Sequence, residues 1–600
     1  MYNQTDHNPF NIPGNRLLAR PLESLLGLRR LIQIYGSRPA GSNNDSFLRH
    51  TETAFGIDLS VEGFDLGALP KAGSLLIVAN HPLGGLEGVV LARLLREYRP
   101  DTKVLTNAML TKIPELSEIF IGVDVFGENS EQRASSNLKG LREASRHLQN
   151  GGALLVFPAG KVAVRDRQED RIKDHPWNRI VGSLARKANC DCLPIFIDAK
   201  NSKLFYFLAS LHPILRTLML PRELSNKNGC PLKVIVGEPI APRDLRHLQD
   251  AEGVTNYLRL STELLQYDGI GKKAYKGVEF KPLKLMSLEA VPAQLHSLAD
   301  SLLLETEEFA VYCAPYARLG CVMEAIGAAR EVTFRAAGEG TGNAIDIDQF
   351  DPHYDHLFIW DKQKQTIVGG YRMGRVNEIV SNHGLDALYS RTLYRYGKSY
   401  LDKVGAPLEM GRSFVHPDYQ RMPQALDLLW RGIGVYVARN PEYHTLFGAV
   451  SISNEHSDLA RAFIAEAMVE SFRAEQQFLQ GVEPVAPLEV SGKVWSKTEL
   501  QSLNHVSLIN KLVGRCDPGK ALPTLLRHYL SLNGKFVCFS VNKVFNDSLD
   551  GLILVDLRKT PIRYLNRYMT KDGAESFLAY WSDKNKSSPQ IAEEQAEHIA

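Results

Sequence analysis

A histidine and a glutamate stand close together in the segment LLIVANHPLGGLEG, residues 75–88. Its apolar start predicts a buried strand that delivers Asn80 and His81 to its end, and two glycines predict a tight turn before Glu87 opens a helix. A neutral imidazole oriented by a carboxylate can take a proton from a hydroxyl while the hydroxyl oxygen attacks an acyl carbonyl. Taken alone, the segment has two interpretations: acyl transfer with His81 and Glu87 as the catalytic pair, or a loop histidine that caps the helix or lies at the surface.

The elements around this segment alternate between strand and helix. Helical patterns cover Glu87–Tyr98 and Glu131–Gln149. Short apolar runs bounded by Gly, Pro or Asn predict buried strands at Leu75–Ala79, Ala153–Phe157, Leu193–Ile197 and Leu232–Val236. Strands that alternate with helices predict an α/β domain.

A second domain follows a linker. Residues 268–282 are rich in Gly and Lys and poor in apolar residues, which is typical of a linker. Beyond residue 287, one long helix is predicted at 424–440, and strands are predicted at 356–361, 366–373, 408–415 and 445–452. We predict domains at residues 1–270 and 285–585, the second of α+β type, and a loose polar tail at 586–600.

Composition restricts the class of protein. The 600 residues have 44% hydrophobic residues and a mean hydropathy of −0.19, as in soluble globular proteins of several domains. The 70 Lys and Arg residues nearly balance the 68 Asp and Glu residues, which argues against a nucleic-acid partner. Seven scattered cysteines indicate reduced thiols in a cytoplasm, and Cys190–Cys192 lacks the second pair that a zinc site needs, so no metal is expected.

Two segments bear on membrane attachment. Arg16–Tyr35 has four arginines among regularly spaced leucines, a pattern that fits either an anionic lipid surface or packing on its own domain. Leu204–Leu220 is too short and too polar to span a bilayer, because it contains His212, Pro213 and Arg216. With no signal-peptide pattern at the start of the chain, we expect a cytoplasmic protein that lies peripherally on the inner face of the cytoplasmic membrane.

Four segments of the first half resemble, in order, the blocks of the glycerolphosphate and lysophospholipid acyltransferases. They are residues 75–88, Ile121–Phe126, Phe157–Lys161 and Leu193–Ile195. The resemblance implies the α/β fold of that family and catalysis by His81 and Glu87. It also implies a set of substrate-binding residues, namely Asn80, Gly84, Gly85, Phe157, Pro158, Gly160 and Lys161.

Departures from the family pattern bear on the acceptor. Five residues separate His81 from Glu87, where four usually precede an aspartate, and the longer side chain of Glu87 can close that gap. The second block lacks its usual arginine, and Ala159 replaces a common glutamate. Since the typical acceptor is a lysophospholipid phosphate, these losses suggest an acceptor without phosphate. Lys161 then meets a carboxylate or remains a solvated loop lysine.

Residues 310–570 resemble the ornithine acyl-acyl-carrier-protein N-acyltransferases of the GNAT superfamily. The matching segments include Phe350–Asp351, Ile367–Arg372, Glu409–Pro417, Leu429–Ile433 and Val555–Leu557. The resemblance implies a GNAT-like α+β domain and an amino acid acceptor.

Charged residues in this region suit such a reaction. An α-amine must lose a proton to attack a thioester, so Glu409 is expected as base or orienting group. Arg412 lies three residues further along the same strand and faces the opposite side of a regular strand, so a bulge must turn one of the two or one serves outside the cleft. Asp348, Asp351 and Arg372 are expected to bind the ammonium and carboxylate groups of the amino acid.

The turn at Gln420–Ala425 contains no glycine, whereas a typical GNAT helix start cradles coenzyme A with a Gly-rich turn. We therefore expect no bound cofactor and a phosphopantetheine thioester on acyl carrier protein as the donor. Arg421 and Arg431 are candidates for docking the acidic carrier.

The order of the two domains resembles the bifunctional ornithine lipid synthases of bacteria. This implies that the C-terminal domain N-acylates ornithine with a 3-hydroxyacyl group and that the N-terminal domain O-acylates the resulting lyso-ornithine lipid, giving a phosphate-free membrane lipid. Two alternatives stay open: a lysophospholipid acyltransferase with a non-catalytic carrier-binding second domain, and an adaptor with both sites inactive. The sequence does not choose ornithine over glutamine or glycine.

Overall fold

The computed structural model describes residues 8–10, 23, 26–123, 131–166, 171–227, 229–267 and 289–597. The chain forms two compact units. Unit 1 comprises Met1–Ile270 and Gly492–Pro518, and unit 2 comprises Gly271–Ser491 and Gly519–Ala600. The linker predicted at 268–282 lies outside the described residues.

Residues 492–518 therefore depart from the contiguous second domain predicted at 285–585. Their helix Val506–Cys516 buries one apolar face, formed by Leu508, Ile509, Leu512, Val513 and Cys516. Arg515 donates to the carbonyls of Glu238 and Ser261, and Arg259 pairs with Glu499 at 3.2 Å. These contacts hold the segment within unit 1.

Unit 1 is built on a mostly parallel sheet, as its alternating pattern predicts. Its strands are β1 (Asp58–Gly63), β2 (Leu75–Ala79), β3 (Lys103–Asn107), β4 (Phe120–Val123), β5 (Ala153–Val156), β6 (Val164–Asp166), β7 (Arg171–Lys173), β8 (Asp191–Asp198) and β9 (Pro231–Val236). The sheet order is β1-β9-β8-β2-β5-β3-β4, with β8 antiparallel to β9 and the other described neighbours parallel. The strands β6 and β7 form a separate antiparallel pair.

The helices of unit 1 cover this sheet. They are Leu28–Gly36, Asn44–Phe55, Gly85–Tyr98, Glu131–Gln149, Ile180–Ala188, Lys203–Leu211, Pro213–Ser225, Pro242–Leu245, Ala251–Glu263, Lys497–Gln501 and Val506–Cys516. Every residue of β2 is buried, because its two faces both pack inside the unit. The carboxyl ends of β2 and β5 lie side by side, since Val78 pairs with Val156.

Unit 2 contains a mixed sheet in the order β10-β11-β12-β13-β15-β16-β19-β18. The strands are β10 (Leu302–Glu305), β11 (Phe309–Pro315), β12 (Asp355–Asp361), β13 (Thr366–Arg375), β14 (Tyr394–Tyr396), β15 (Pro407–Val415), β16 (Thr445–Ile452), β17 (Val482–Pro484), β18 (Lys535–Asn542) and β19 (Ser548–Asp556). β15 and β16 run parallel, and their pairing stops at Met410 and Gly448 although both strands continue.

The helices of unit 2 complete the α+β fold that the sequence predicts. They are Val291–His296, Tyr316–Leu319, Cys321–Ala336, Val376–His383, Lys398–Val404, Pro423–Arg439, Asp458–Ser471, Gln476–Leu479, Thr524–Ser531, Ile562–Met569 and Lys571–Glu597. The last helix extends to Glu597, into the segment predicted as a polar tail.

The described part of Arg16–Tyr35 packs on its own unit. Leu31 and Tyr35 of the helix Leu28–Gly36 are buried in the core of unit 1. The segment Leu204–Leu220 is divided between two helices. Among the described residues, no helix combines the length and the apolar character needed to cross a bilayer.

Candidate active sites

The histidine and glutamate of the first motif meet directly. His81 follows β2, and its Nδ1 lies 2.9 Å from Oε1 of Glu87 on the helix Gly85–Tyr98. The same oxygen accepts hydrogen bonds from the backbone N–H groups of Leu83, at 3.0 Å, and Gly84, at 2.8 Å. Glu87 is completely buried, so it holds both the imidazole and the turn that leads into the helix. The long side chain of Glu87 therefore reaches His81 despite the extra residue between them.

Gly84 is needed at this turn for two reasons. Its φ of +112° is unfavourable for residues with a Cβ atom. A Cβ atom there would also approach the side chains of Leu220 and Val162 at 3.3 and 3.4 Å. The turn can therefore stay tight only with glycine.

His81 opens into a cavity of about 860 Å³ in unit 1. This volume suits a ligand of lipid or drug size. The wall is mainly apolar, and it includes the predicted residues Gly84, Gly85, Phe157, Pro158, Gly160 and Lys161. The Phe157 ring lies 4.9 Å from the imidazole of His81. Because Nδ1 faces Glu87, Nε2 is the ring nitrogen left for a substrate in the cavity.

Asn80 does not line this cavity. Its side-chain amide donates to the carbonyl of Ile197 at 3.0 Å, and its side-chain oxygen accepts from the N–H of Ile197 at 2.7 Å. Asn80 thus fastens the end of β2 to β8, and its contact with substrate stays a prediction.

Asp174 is a second carboxylate at the histidine. It accepts the backbone N–H of His81 at 3.1 Å and the indole N–H of Trp177 at 3.0 Å. Burial of the imidazole opposes its protonation, but the charges of Glu87 and Asp174 outweigh this effect and raise the pKa of His81 above its usual 6.5. His81 is therefore a stronger base than an isolated imidazole. No sequence motif marks Asp174, which lies 93 residues from His81.

Cationic side chains lie in this part of unit 1. Lys161 lines the cavity, whereas Arg216, on the helix Pro213–Ser225 that contributes to the cavity wall, donates to Nε2 of His175 at 2.9 Å. Burial is the main cause that lowers the pKa of His175, and the positive charges of Arg216 and Lys161 lower it further. The low pKa favours the neutral imidazole. Among the described residues, no carboxylate pairs with Lys161 or Arg216. This region can take an anionic group.

In unit 2, a bulge resolves the conflict between Glu409 and Arg412. Gly370 pairs with Phe414 and Arg372 with Gly411, so β15 contains one extra residue opposite β13. Arg412 adopts a φ of +47°, in the left-handed region. The bulge turns Arg412 into the interior, where Glu409 is also buried.

Three arginines and three aspartates form a network beside this bulge. They are Arg330, Arg372, Arg412, Asp346, Asp348 and Asp351. Arg372 contacts Asp348 at 2.6 Å, Arg412 contacts Asp348 at 2.7 Å, and Arg330 contacts Asp351 at 2.8 Å. The charges of the network balance within the protein.

This arrangement places the three residues predicted for the amino acid site in one network. Asp351 and Arg372 are fully buried and bind each other, whereas Asp348 retains 22% exposure of its side chain. Burial alone would raise the pKa of Asp351, but the guanidinium groups of Arg330 and Arg372 hold it well below its usual range. Arg330 and Asp346 were missed, because a single charged residue in a helix or loop pattern carries no signal.

Glu409 is held on both carboxylate oxygens. The hydroxyl of Tyr354 donates to Oε2, and the backbone N–H of Ser390 donates to Oε1 at 2.6 Å. Arg372 lies over the rings of Tyr354 and Tyr389, 4.9 and 5.1 Å from their centroids. In this arrangement each carboxylate oxygen of Glu409 accepts one hydrogen bond from a neighbouring group.

Comparisons with known proteins agree with the two units. Residues 42–268 match the family model "Acyltransferase", and residues 329–431 match "Acetyltransferase (GNAT) domain". The chain is 29% identical to the glycine N(alpha)-acyltransferase of Phocaeicola vulgatus over 41% of this chain and 79% of that protein. It is 28% identical to the lyso-glycine lipid O-acyltransferase of the same organism, over 31% of this chain and 65% of that protein. It is 35% identical to the L-ornithine N(alpha)-acyltransferase of Rhodobacter capsulatus, over 18% of this chain and 42% of that protein. The chain is an acyltransferase that combines an acyltransferase domain with a GNAT domain.

Proposed function

We propose that this chain makes ornithine lipid in two consecutive acyl transfers. The GNAT domain would join a 3-hydroxyacyl group to the α-amine of ornithine, and the acyltransferase domain would then acylate the new hydroxyl. The observation that carries the proposal is the His81–Glu87 pair, which opens into an apolar cavity in the same chain as a second acyltransferase domain. Relatives of the chain are named L-ornithine N(alpha)-acyltransferase and lyso-glycine lipid O-acyltransferase, one for each type of acyl transfer.

The second transfer can be derived from the geometry of unit 1. Nε2 of His81 takes the proton of the acceptor hydroxyl while the oxygen attacks the thioester carbonyl carbon. When the carbon–sulfur bond breaks, the imidazolium returns this proton to the leaving sulfur, so charge and protons balance. Glu87 fixes the imidazole through Nδ1, and with Asp174 it stabilises the transient positive charge.

Lys161 suits the acceptor of this step. The product of the first transfer carries the amino acid carboxylate, and the cavity wall offers this lysine, which has no carboxylate partner among the described residues. The same cation would also suit a phosphate, which keeps lysophospholipid acylation as the second candidate function.

For the first transfer, unit 2 offers a rigid polar network at the point where β15 and β16 cease to pair. Asp348 is its partly exposed member and our candidate for the substrate ammonium group. The donor is proposed to be a thioester on acyl carrier protein, because the helix Pro423–Arg439 begins at a proline and follows a glycine-free turn. We further propose that the protein works at a membrane surface.

Expression in a bacterium that lacks aminolipids, followed by mass spectrometry of its lipids, tests the proposal. We expect diacylated ornithine lipid from the wild type. Diacylated glycine or glutamine would correct the amino acid but keep the two-step reaction. New phosphatidic acid without any aminolipid would favour the lysophospholipid reaction and overturn the proposal.

A further inference from the structure

We infer that the hairpin formed by helices Lys203–Leu211 and Pro213–Ser225 is the surface by which unit 1 docks on an anionic phospholipid bilayer. We call it the 203–225 hairpin. The inference deepens the proposed function, since it assigns a contact for the lipid surface on which that function depends.

The hairpin exposes an unusual concentration of large apolar side chains. They are Leu204, Phe207, Leu211, Ile214 and Leu218, each between 43 and 61% exposed. The first three recur at helical spacing on one side of Lys203–Leu211, and the other two lie one turn apart on the next helix. The opposite side of the first helix buries Phe205 and Tyr206. Single exposed apolar residues are ordinary, but five on one hairpin mark an interaction surface.

The cationic side chains of the 203–225 hairpin favour an anionic partner. Its side chains include the cations Lys203, Arg216 and Arg222, and its acid Glu223 is buried and accepts hydrogen bonds from the N–H and hydroxyl of Ser202. A hairpin that exposes apolar side chains and has more cationic than anionic residues complements the acyl chains and headgroups of anionic lipids.

The hairpin also forms part of the cavity that contains His81. Thr217, Leu220, Pro221 and Leu224 lie in the cavity wall. The hairpin thus presents an apolar ridge to the outside, and its second helix, Pro213–Ser225, contributes a wall to the candidate active site. A bilayer bound by the ridge would keep an acyl-chain substrate next to this wall.

Sedimentation of the full-length protein with vesicles tests the inference. Vesicles of phosphatidylglycerol and phosphatidylcholine should bind the wild type, and the double variant Phe207→Asp/Ile214→Asp should bind at least tenfold more weakly, because two inserted apolar side chains are replaced by anions. The matched control is Val61→Asp/Leu138→Asp, which makes the same charge change at exposed apolar residues elsewhere in unit 1. It should bind within twofold of the wild type.

Three results would overturn the inference. The first is wild-type binding by the hairpin variant, and the second is equal loss of binding by the control variant. The third is a lipid-free dimer that the hairpin variant dissociates, since the ridge would then be a contact between copies of this chain. Vesicle binding needs no turnover, so failure here is separable from failure of the lipid analysis that tests the proposed function.

Discussion

Replacement of Glu87 by glutamine separates the electrostatic role of this residue from its structural one. Oε1 of Glu87 accepts hydrogen bonds from the backbone N–H groups of Leu83 and Gly84 and lies 2.9 Å from Nδ1 of His81. Glutamine keeps an oxygen for both N–H groups but carries no charge. The variant Glu87→Ala would leave two buried N–H groups without an acceptor, at about 1 to 3 kcal/mol each. The glutamine variant should therefore unfold close to the wild type.

The O-acylation activity of Glu87→Gln should fall far more than its stability. Without the carboxylate, the imidazole loses the group that fixes its tautomer and stabilises its protonated form. We expect kcat/KM for O-acylation to fall by about a hundred- to ten-thousandfold, which is about 3 to 5 kcal/mol of transition-state stabilisation. The assay follows transfer from an acyl thioester to the purified lyso-lipid, with thermal unfolding and N-acylation of the same preparation as controls. A folded Glu87→Gln protein within threefold of wild-type O-acylation would refute the role assigned to the pair.

The remaining predictions address other residues and the donor. The carboxylate neighbours raise the pKa of His81 above 6.5, so the basic imidazole is lost as the pH falls through that raised pKa. The acid limb of the O-acylation pH profile should therefore lie above pH 6.5. It should move to lower pH in Asp174→Asn, which removes one of the two charges. The variant His81→Ala should lose at least about a hundredfold in O-acylation and accumulate the monoacyl amino acid, whereas Glu409→Ala should deplete both products until the monoacyl compound is supplied, as mass spectrometry would show. Loss of the monoacyl species in folded His81→Ala would reverse this assignment. The variant Arg330→Leu should lower the free energy of unfolding by about 3 to 5 kcal/mol in denaturant titration, because it leaves the charge of Asp351 buried with one partner fewer. Purified enzyme given both thioesters should consume the carrier-bound donor far faster than the coenzyme A thioester, and equal rates would contradict our reading of the glycine-free turn.

The residues of the first site that are close in sequence were predictable, and the distant ones were not. Only five residues separate His81 from Glu87, so the signals for a strand, a turn and a helix together place the two side chains near each other. Asp174 reaches the histidine only through the segment after β7, whose path depends on tertiary packing. Asn80 has the same origin in the motif, yet its role depends on β8, which lies more than a hundred residues further on.

In unit 2, the sequence indicated the strands but not the irregularity within one of them. The spacing of Glu409 and Arg412 required a bulge or a residue outside the cleft, and only the pairing of β15 with β13 decides between them. The mutual pairing of Asp351 and Arg372 was not predictable for a related reason. Charge type alone does not say whether a partner is a ligand or another side chain of the protein, and here Arg330 and the neighbouring aspartates provide the partners.

The placement of Gly492–Pro518 in unit 1 has a consequence for synthesis of the chain. A ribosome that has released residue 270 has not yet made the helix Val506–Cys516 or Glu499, one of the two carboxylates that pair with Arg259. The sheet of unit 2 is also incomplete at that stage and until β19, its neighbour to β16, has emerged. Neither unit can finish folding before most of the chain exists, so separate expression of residues 1–270 should give a protein that lacks part of its own packing, and the two halves cannot be exchanged between relatives by a single crossover at the linker.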